Sequence, residues 1–526
     1  MSRFCLFIPV VFGFWASAVG AESSERPPNI FIAISDDVSF PHAGAYGSRM
    51  VHTPAFDRTA ASGALFRNAF CAAPGCSPSR AALLTGRHIW MIEEAGTHAS
   101  YFQTKYRTFP EVLGDAGYFC GSTGKAWGPG NFKKNGRTEN PAGRTYGGRG
   151  GYVAGFKKFL DARPENQPFC FWFGSHDAHR GFTKDAGINA GKKLADAEVP
   201  AFLPDAPEIR SDLLDYAFEI DRFDRDCDTM LKMLQEHGEL ENTLVIITSD
   251  NGMAFPRAKA NCYEYGIHMP LAISWPKQIP AGQDLDTLTG FVDLTATIYD
   301  AAGLAGPTEF PPVGVSLLSE LKDPDAAPTR PFVLSGRERH SSSRYNSLGY
   351  PQRAIRTADY LYIHNFRADR WPAGTPSKYS KATYSANGSL VKSTDGPDHG
   401  GYHDIDACPS LDFLIRYREH PEYGPFLGMS VDKRPPEELF DIRTDPACLK
   451  NLAGNPEHAV VQKRLRDQLM ESLKRTGDAR VLDGGDIWET YPRVSSLRWF
   501  ATPDWAAQNP ETVPKQEWLD QRRPKK

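Results

Sequence analysis

Eleven residues, Cys76-Ser77-Pro78-Ser79-Arg80-Ala81-Ala82-Leu83-Leu84-Thr85-Gly86, carry the densest chemistry in the chain. Pro78-Ser79 begins a helix, since proline loses nothing by lacking an N–H in the first turn, and Gly86 ends it. Cys76 then lies at a helix N-terminus, where free N–H groups and the helix dipole favour an anion. Arg80 follows four residues on, on about the same face. A nucleophile beside a guanidinium suits a tetrahedral oxyanion. A capped helix holding a buried or disulfide-linked cysteine fits the same spacing.

Three further groups offer chemistry. Asp36, Asp37, Asp250 and Asn251 present only oxygen ligands. Three carboxylates gathered in one place would repel unless a cation neutralised them, and all-oxygen ligation suits Ca2+ first and Mg2+ second. Each pair would equally serve as a cap for the turn that follows. In His176-Asp177-Ala178-His179-Arg180 a histidine suits a general acid, while His176 alternatively orients its neighbour. No other Cys or His has the spacing to complete a zinc site with H-x-x-H. Arg337, Arg339 and His340, and further on Arg367-Ala368-Asp369-Arg370-Trp371-Pro372, gather guanidinium groups around an indole. Arginine suits sulfate and carboxylate, and an indole can stack on a sugar. A solvated loop with structural ion pairs is the alternative.

The elements that must position these groups are readable. Asn29 to Ile34, Pro168 to Phe173 and Leu244 to Thr248 are apolar runs ending in Ser35-Asp36-Asp37, Gly174-Ser175-His176-Asp177 and Ser249-Asp250-Asn251. Leu271 to Trp275 is a fourth run. Runs without alternation indicate strands buried on both faces, as in parallel α/β sheets, and such sheets bind ligands at strand C-terminal ends. Tyr216, Ile220, Phe223, Cys227, Leu231 and Leu234 repeat at helical spacing and predict one amphipathic helix over Asp212 to Glu236. After about Leu334 the texture changes. Ala354–Arg356 and Tyr360–Ile363 read as strands of a smaller sheet, Ala459 to Lys474 as a helix, and 366–380 and 390–410 as long loops, which are often functional.

The 526 residues exceed one typical core, so a large and a smaller domain are expected. A net charge of −4 builds no field to capture nucleic acid, although a local basic pocket remains open. Arg3, the apolar stretch Phe4 to Trp15 and the small residues Val19-Gly20-Ala21 read as a secretory signal over 1–21, or else as a retained anchor. The protein is thus expected to be secreted or periplasmic. Of nine cysteines, removal of the signal leaves eight, with no CxxC pair; disulfides are permitted but their connectivity is not deducible. The basic end Arg522-Arg523-Pro524-Lys525-Lys526 reads as solvated.

Cys76 to Gly86 resembles the signature of the type I sulfatases, in which C-x-P-S-R directs oxidation of the cysteine to formylglycine (3-oxoalanine). Tyr263-Glu264, Trp275-Pro276, Glu438-Leu439-Phe440-Asp441 with Asp445-Pro446, and Asn451-Leu452-Ala453 are similar to stretches usual in that family. Ser249 to Asn251 with Phe255-Pro256 and Tyr263 look more like heparan N-sulfatases than arylsulfatases.

The resemblance implies an alkaline-phosphatase-like α/β/α sandwich with a smaller C-terminal α+β subdomain: signal 1–21, catalytic domain 27–345, subdomain 346–505 and tail 506–526. It implies Ca2+ held by Asp36, Asp37, Asp250, Asn251 and the residue at 76. It makes Arg80, Lys125 (in Gly124-Lys125) and Lys259 the cations that hold sulfate, and His179 the acid for the leaving group. Its expected partners are a sulfated saccharide and the formylglycine-generating enzyme, with no nucleic acid.

One departure stands out. The family's G-K-x-H histidine is replaced by Trp127, which cannot accept a proton. His98, in Gly96-Thr97-His98-Ala99-Ser100, is the candidate to take over, or else a loop-orienting histidine. The rival readings are a phosphoester or phosphonate-ester hydrolase of the same superfamily, and a non-catalytic sulfated-glycan binder if Cys76 is never converted.

Overall fold

A computed structural model describes residues 26–323, 325–326, 330–376, 383–384, 390–391, 401–500 and 502–522. The expected signal over 1–21, the last four residues and most of 377–400 lie outside the described residues.

Among the described residues the large sheet has eight strands: β1 (Asn29–Ser35), β2 (Ala64–Phe70), β3 (Phe119–Gly124), β4 (Arg144–Gly147), β5 (Phe169–Gly174), β6 (Thr243–Ser249), β7 (His268–Ser274) and β8 (Gln283–Gly290). Their order is β4-β3-β5-β1-β6-β7-β2-β8. The three apolar runs that end in polar residues are its central strands. β1 pairs in parallel with β5 (Ile32 opposite Trp172) and with β6 (Ile32 opposite Ile246).

Alternate residues of these strands face opposite layers. Phe31, Ala33, Phe171, Phe173, Val245 and Ile247 pack on Phe223, Cys227, Met230 and Leu234 of the long helix Pro207–Glu236. Ile32, Ile34, Trp172 and Ile246 face the opposite layer, in the same core as Leu83 and Leu84 of the helix Cys76–Thr85 and Leu294 and Ile298 of Phe291–Ala301. Burying each such side chain stabilises by about 1.5–3 kcal/mol. This two-sided burial produces the α/β/α sandwich.

The fourth run departs from the parallel expectation: β7 is antiparallel to both β6 and β2. A strand buried on both faces reads the same in either direction. The antiparallel return keeps the whole 250–267 connection at the end of the sheet where β1, β5 and β6 terminate.

The small sheet, β14-β11-β10-β9, is antiparallel. It comprises β9 (Val333–Arg337), β10 (Gln352–Arg356), β11 (Tyr360–Asn365) and β14 (Glu437–Asp441). Two short strands, β12 (Thr383–Tyr384) and β13 (Leu390–Val391), pair with each other. The small sheet therefore begins before residue 346. Leu465, Leu469 and Leu473 of the helix Ala459–Arg475 pack on Ile355, Tyr362 and Leu439.

Residues read as a tail also pack. Leu519, in the helix Glu517–Asp520, is buried, and Trp518 Nε1 donates to the Glu489 carbonyl. Arg522, expected to be solvated, donates to the Arg493 and Ser495 carbonyls. No helix of the described residues is long and apolar enough to cross a membrane.

Candidate active site

The helix carrying Cys76 begins at Cys76 itself and is closed by Gly86 in the left-handed region, at φ 67°. Its first turn points at the C-terminal ends of β1, β5 and β6. Cys76 is 1% exposed. Burial pushes its thiol above the usual range, so an unmodified cysteine here is a poor thiolate.

Three carboxylates converge beneath it. Adjacent strand residues normally point to opposite faces; Asp37, at φ 69°, turns the chain so that it joins Asp36. Asp36, Asp37 and Asp250 each place an oxygen within 4.8 Å of the others. Each also meets one cation. Arg80 Nε donates to Asp250 Oδ2 at 2.7 Å, Lys259 Nζ to Asp37 Oδ2 at 2.7 Å, and Lys125 Nζ to Asp36 Oδ2. Burial opposes ionisation of Asp36, yet Lys125, His179, Arg80 and Lys259 outweigh it and hold the carboxyl below its usual range. Burial pushes Asp250 up to about 6, with Asp36 and Asp37 adding to it against Arg80 and Lys125.

This donor set fits a hard divalent cation. Asp36 Oδ1 and Asn251 Oδ1 are buried oxygens without hydrogen-bond partners among the described residues, and such atoms are costly unless something takes them up. Asn251 Nδ2 donates to Asp37 Oδ1 at 2.7 Å, which fixes the amide with its oxygen free. Three acids against three bases sum to zero, and Asp406, which also accepts from Lys259, makes the cluster net negative, so an incoming sulfate ester anion would need a further divalent charge.

Close backbone approach sets the cations. A Cβ on Gly174 would lie 1.7 Å from the Lys125 carbonyl oxygen and 3.0 Å from Arg80 Nη1, so only glycine lets β5 end there. Arg80 Nη1 donates to the Lys125 and Ala126 carbonyls, tying the guanidinium to the loop after β3.

The histidines separate by geometry. The Nδ1 of His179 lies 2.7 Å from the Arg180 carbonyl, an arrangement that requires Nδ1–H and leaves Nε2 for the pocket. His179, Asp37 and Asp406 lie within ligand distance of one another. His176 turns aside to Tyr152, with Nδ1 3.0 Å from its hydroxyl, and is a wall residue.

His98 is beside the nucleophile position, with Nε2 3.3 Å from Cys76 Sγ. Arg493 Nη1 lies 3.2 Å from His98 Nδ1. A guanidinium only donates, so Nδ1 accepts and Nε2 carries the hydrogen. Burial, reinforced by His340 and Arg493, holds the ring well below its usual pKa and therefore neutral. This geometry makes His98 a donor toward residue 76, not the base the sequence suggested. Trp127 closes the same wall, its Nε1 donating to the Ser77 carbonyl.

The arginines expected to face a sugar are committed elsewhere. Arg337 Nη2 donates to Asp404 Oδ2 at 2.5 Å and to the Pro372 carbonyl. Arg339 holds the Tyr491 and Pro492 carbonyls. Both are buried: Arg337 has the Asp404 carboxylate for its charge, whereas among the described residues Arg339 donates only to carbonyls and the Thr97 hydroxyl. His340 lies 4.7 Å from the His98 ring and lines the pocket wall. Arg370 pairs with Glu489, and Arg367 with Asp369.

Sequence reasoning missed Asp406 and Arg493. Asp406 Oδ2 accepts from Lys259 Nζ at 3.0 Å. Arg493 reaches the pocket from near the C-terminus. Neither belongs to a motif or a periodic element. All eight described cysteines are free.

Fold and site together define a hydrolase of sulfuric esters. The sulfatase family model matches residues 28–304, and the chain belongs to the sulfatase family. Among its relatives is human N-sulphoglucosamine sulphohydrolase, 29% identical over 499 residues that cover 86% of this chain and 91% of the relative. Two solved structures share the fold. A protein in complex with its substrate, D-glucosamine-2-N,6-O-disulfate, aligns with TM-score 0.60 at 20% identity, covering 86% of this chain and 99% of its own. The phosphonate monoester hydrolase of Agrobacterium radiobacter aligns with TM-score 0.61 at 14% identity, covering 86% and 97%.

Proposed function

We propose that the protein removes sulfate from the end of a sulfated glycan, with an N-sulfated glucosamine as the leading candidate, after Cys76 has been converted to formylglycine and with Ca2+ held by Asp36, Asp37, Asp250 and Asn251. The observation that carries this reading is the convergence on position 76 of three carboxylates, three cations and a histidine donor. The similarity to the human N-sulphoglucosamine sulphohydrolase supports the sugar, and the expected leader supports action outside the cytoplasm.

A hydrated formyl group at position 76 would supply the attacking hydroxyl and a second hydroxyl for sulfate release, and Ca2+ held by Asp36, Asp37, Asp250 and Asn251 would offset sulfuryl charge. The chain's own residues do the rest. Arg80, Lys125 and Lys259 bind the sulfuryl oxygens and offset charge that develops in the transition state. His98 orients the oxygen at position 76 through Nε2–H. His179, held by its Nδ1–H on Arg180, turns Nε2 to the leaving oxygen or nitrogen and protonates it.

Two measurements test the reading. Mass spectrometry of the Cys76 peptide from the native host should show the formylglycine mass; unmodified cysteine alone would sink the mechanism. Turnover of a panel of sulfated saccharides, aryl sulfates and phosphonate esters should favour glucosamine sulfates. Faster phosphoester or phosphonate cleavage would replace the sulfated-glycan proposal with the esterase reading.

A further inference from the structure

Beside the catalytic pocket lies a second cavity of about 340 Å3 with aromatic walls. Tyr345, Trp371, Phe500 and Trp505 line it, and Lys433 stands at its edge. Trp505 keeps 38% of its surface exposed, and its ring meets Tyr345 edge-on at 6.1 Å. One exposed indole and one half-buried indole gathered with two further aromatic rings around a hollow mark a binding surface rather than ordinary scatter. Lys433 Nζ lies 5.4 Å from the centre of the Trp371 ring. Among the described residues no carboxylate is recorded in a salt bridge with Lys433, although Asp369 also lines the cavity and pairs with Arg367.

The other two cations in the wall are already committed. Arg344 donates to the Trp371 and Pro372 carbonyls and to Asp404 Oδ2, and Arg370 to Glu489. They build the cavity; among the described residues Lys433 is the lining cation without a salt-bridge partner.

The cavity is joined to the sulfate pocket by one short segment. Arg344 ties the Trp371 backbone to Asp404, and two residues further along Asp406 meets Lys259. Two residues span at most about 7 Å, so with the two aspartate side chains and their contacts the Arg344 guanidinium in the cavity wall lies within about 20 Å of the Lys259 ammonium. A sugar chain whose terminal ring sits over position 76 would reach it with the rings that follow.

We infer that this cavity is a distal subsite for an acidic oligosaccharide: Trp371 and Trp505 stack on pyranose faces, and Lys433 meets a sulfate or carboxylate of an inner sugar. The inference rests on the glycan reading above. Flat aromatic faces suit the C–H surface of a pyranose, and an ammonium is a flexible point charge that accepts either anion.

The test compares a heparan-sulfate-derived tetrasaccharide with the monosaccharide N-sulfoglucosamine, by calorimetry and by turnover, in wild type, Trp371→Ala, Trp505→Ala and Lys433→Gln. Lys433 is exposed, so its substitution leaves folding intact; near-UV circular dichroism checks the tryptophan variants. Wild type should bind the tetrasaccharide more tightly than the monosaccharide. Each variant should lose about tenfold in tetrasaccharide affinity and kcat/KM, with monosaccharide kinetics unchanged. Equal wild-type affinity for both lengths, or variants that bind the tetrasaccharide as wild type does, overturns the subsite. A wild type that hydrolyses aryl sulfates but no saccharide of either length instead overturns the glycan reading, and calorimetry still decides whether the cavity binds the tetrasaccharide.

Discussion

Replacing Arg493 by alanine should slow catalysis through a ring that Arg493 holds but the substrate never touches by way of Arg493 itself. The guanidinium donates to His98 Nδ1 at 3.2 Å and to the His340 carbonyl at 3.0 Å. Those two bonds fix which His98 nitrogen carries the hydrogen and keep the ring 4.7 Å from His340. A hydrogen bond to a charged group contributes about 1.5–3 kcal/mol, which is about ten- to a hundredfold in rate. Arg493→Ala should therefore lower kcat by that factor while KM changes little. His98→Ala should do the same. The double variant should be no slower than His98→Ala alone, because both changes act on one interaction and a double-mutant cycle exposes the shared term. Trp127→His in the His98→Ala background should recover part of the rate, since it restores a histidine where the family carries one. Steady-state kinetics on a saccharide sulfate decides the matter. Effects of the two single changes that multiply in the double variant, or an Arg493→Ala enzyme with wild-type kcat, refute the reasoning.

Asp250→Ala removes one carboxylate of the proposed Ca2+ site and leaves Arg80 buried without its partner; activity should fall at least about a hundredfold, and the melting temperature should fall too, since breaking a buried pair costs about 3–5 kcal/mol. Calcium titration calorimetry should show weakened binding in that variant, and chelated wild-type enzyme should recover with Ca2+. Burial pushes the Glu489 carboxyl up, but Arg370 and Arg480 outweigh it and hold the group at about 2, against 4.5 unperturbed. That stabilisation, about 3 kcal/mol, is present above pH 4.5 and lost as pH falls toward 2. Glu489→Gln should lower the melting temperature at pH 7 and flatten its decline between pH 4.5 and 2, as read by scanning calorimetry. Arg339→Ala should destabilise the protein, since it frees the Tyr491 and Pro492 carbonyls, while leaving KM for saccharide sulfates unchanged; a raised KM without loss of stability would restore it as a sugar contact.

The central strands were legible because a strand buried on both faces writes an unbroken apolar run, and the acids at its end break that run abruptly. Direction was not legible: β7 has the same texture as β6 and runs the other way. The Cys76 helix was legible from Pro78 and Gly86, and His98 from its place soon after that helix. What His98 does was not, since the deciding atom belongs to Arg493. Arg337 and Arg339 were visible as cations and read as ligands for the sulfate or carboxylate of a sugar, with a solvated loop as the alternative. Their burial depends on Asp404 and on the Tyr491–Pro492 carbonyls, partners that no local pattern announces. Trp371 was visible as an indole among arginines; the structure keeps the indole at a cavity and turns Arg370 inward to Glu489, while Arg367 stays at the surface with Asp369.

The reach of Arg493 into the pocket also sets a timetable. Cys76 is 1% exposed, and the groups around it include His340 and Arg493, which leave the ribosome long after it. Arg493 is made about 400 residues later, which at ordinary synthesis speed is roughly 20 to 80 s. Any enzyme that modifies the cysteine has that interval in which the thiol is on an incomplete chain whose pocket cannot yet close. Once the last segment docks, the same packing that shields the reaction from water shields position 76 from any such enzyme. A molecule that folds before it is modified would then stay unmodified for as long as its C-terminal segment holds.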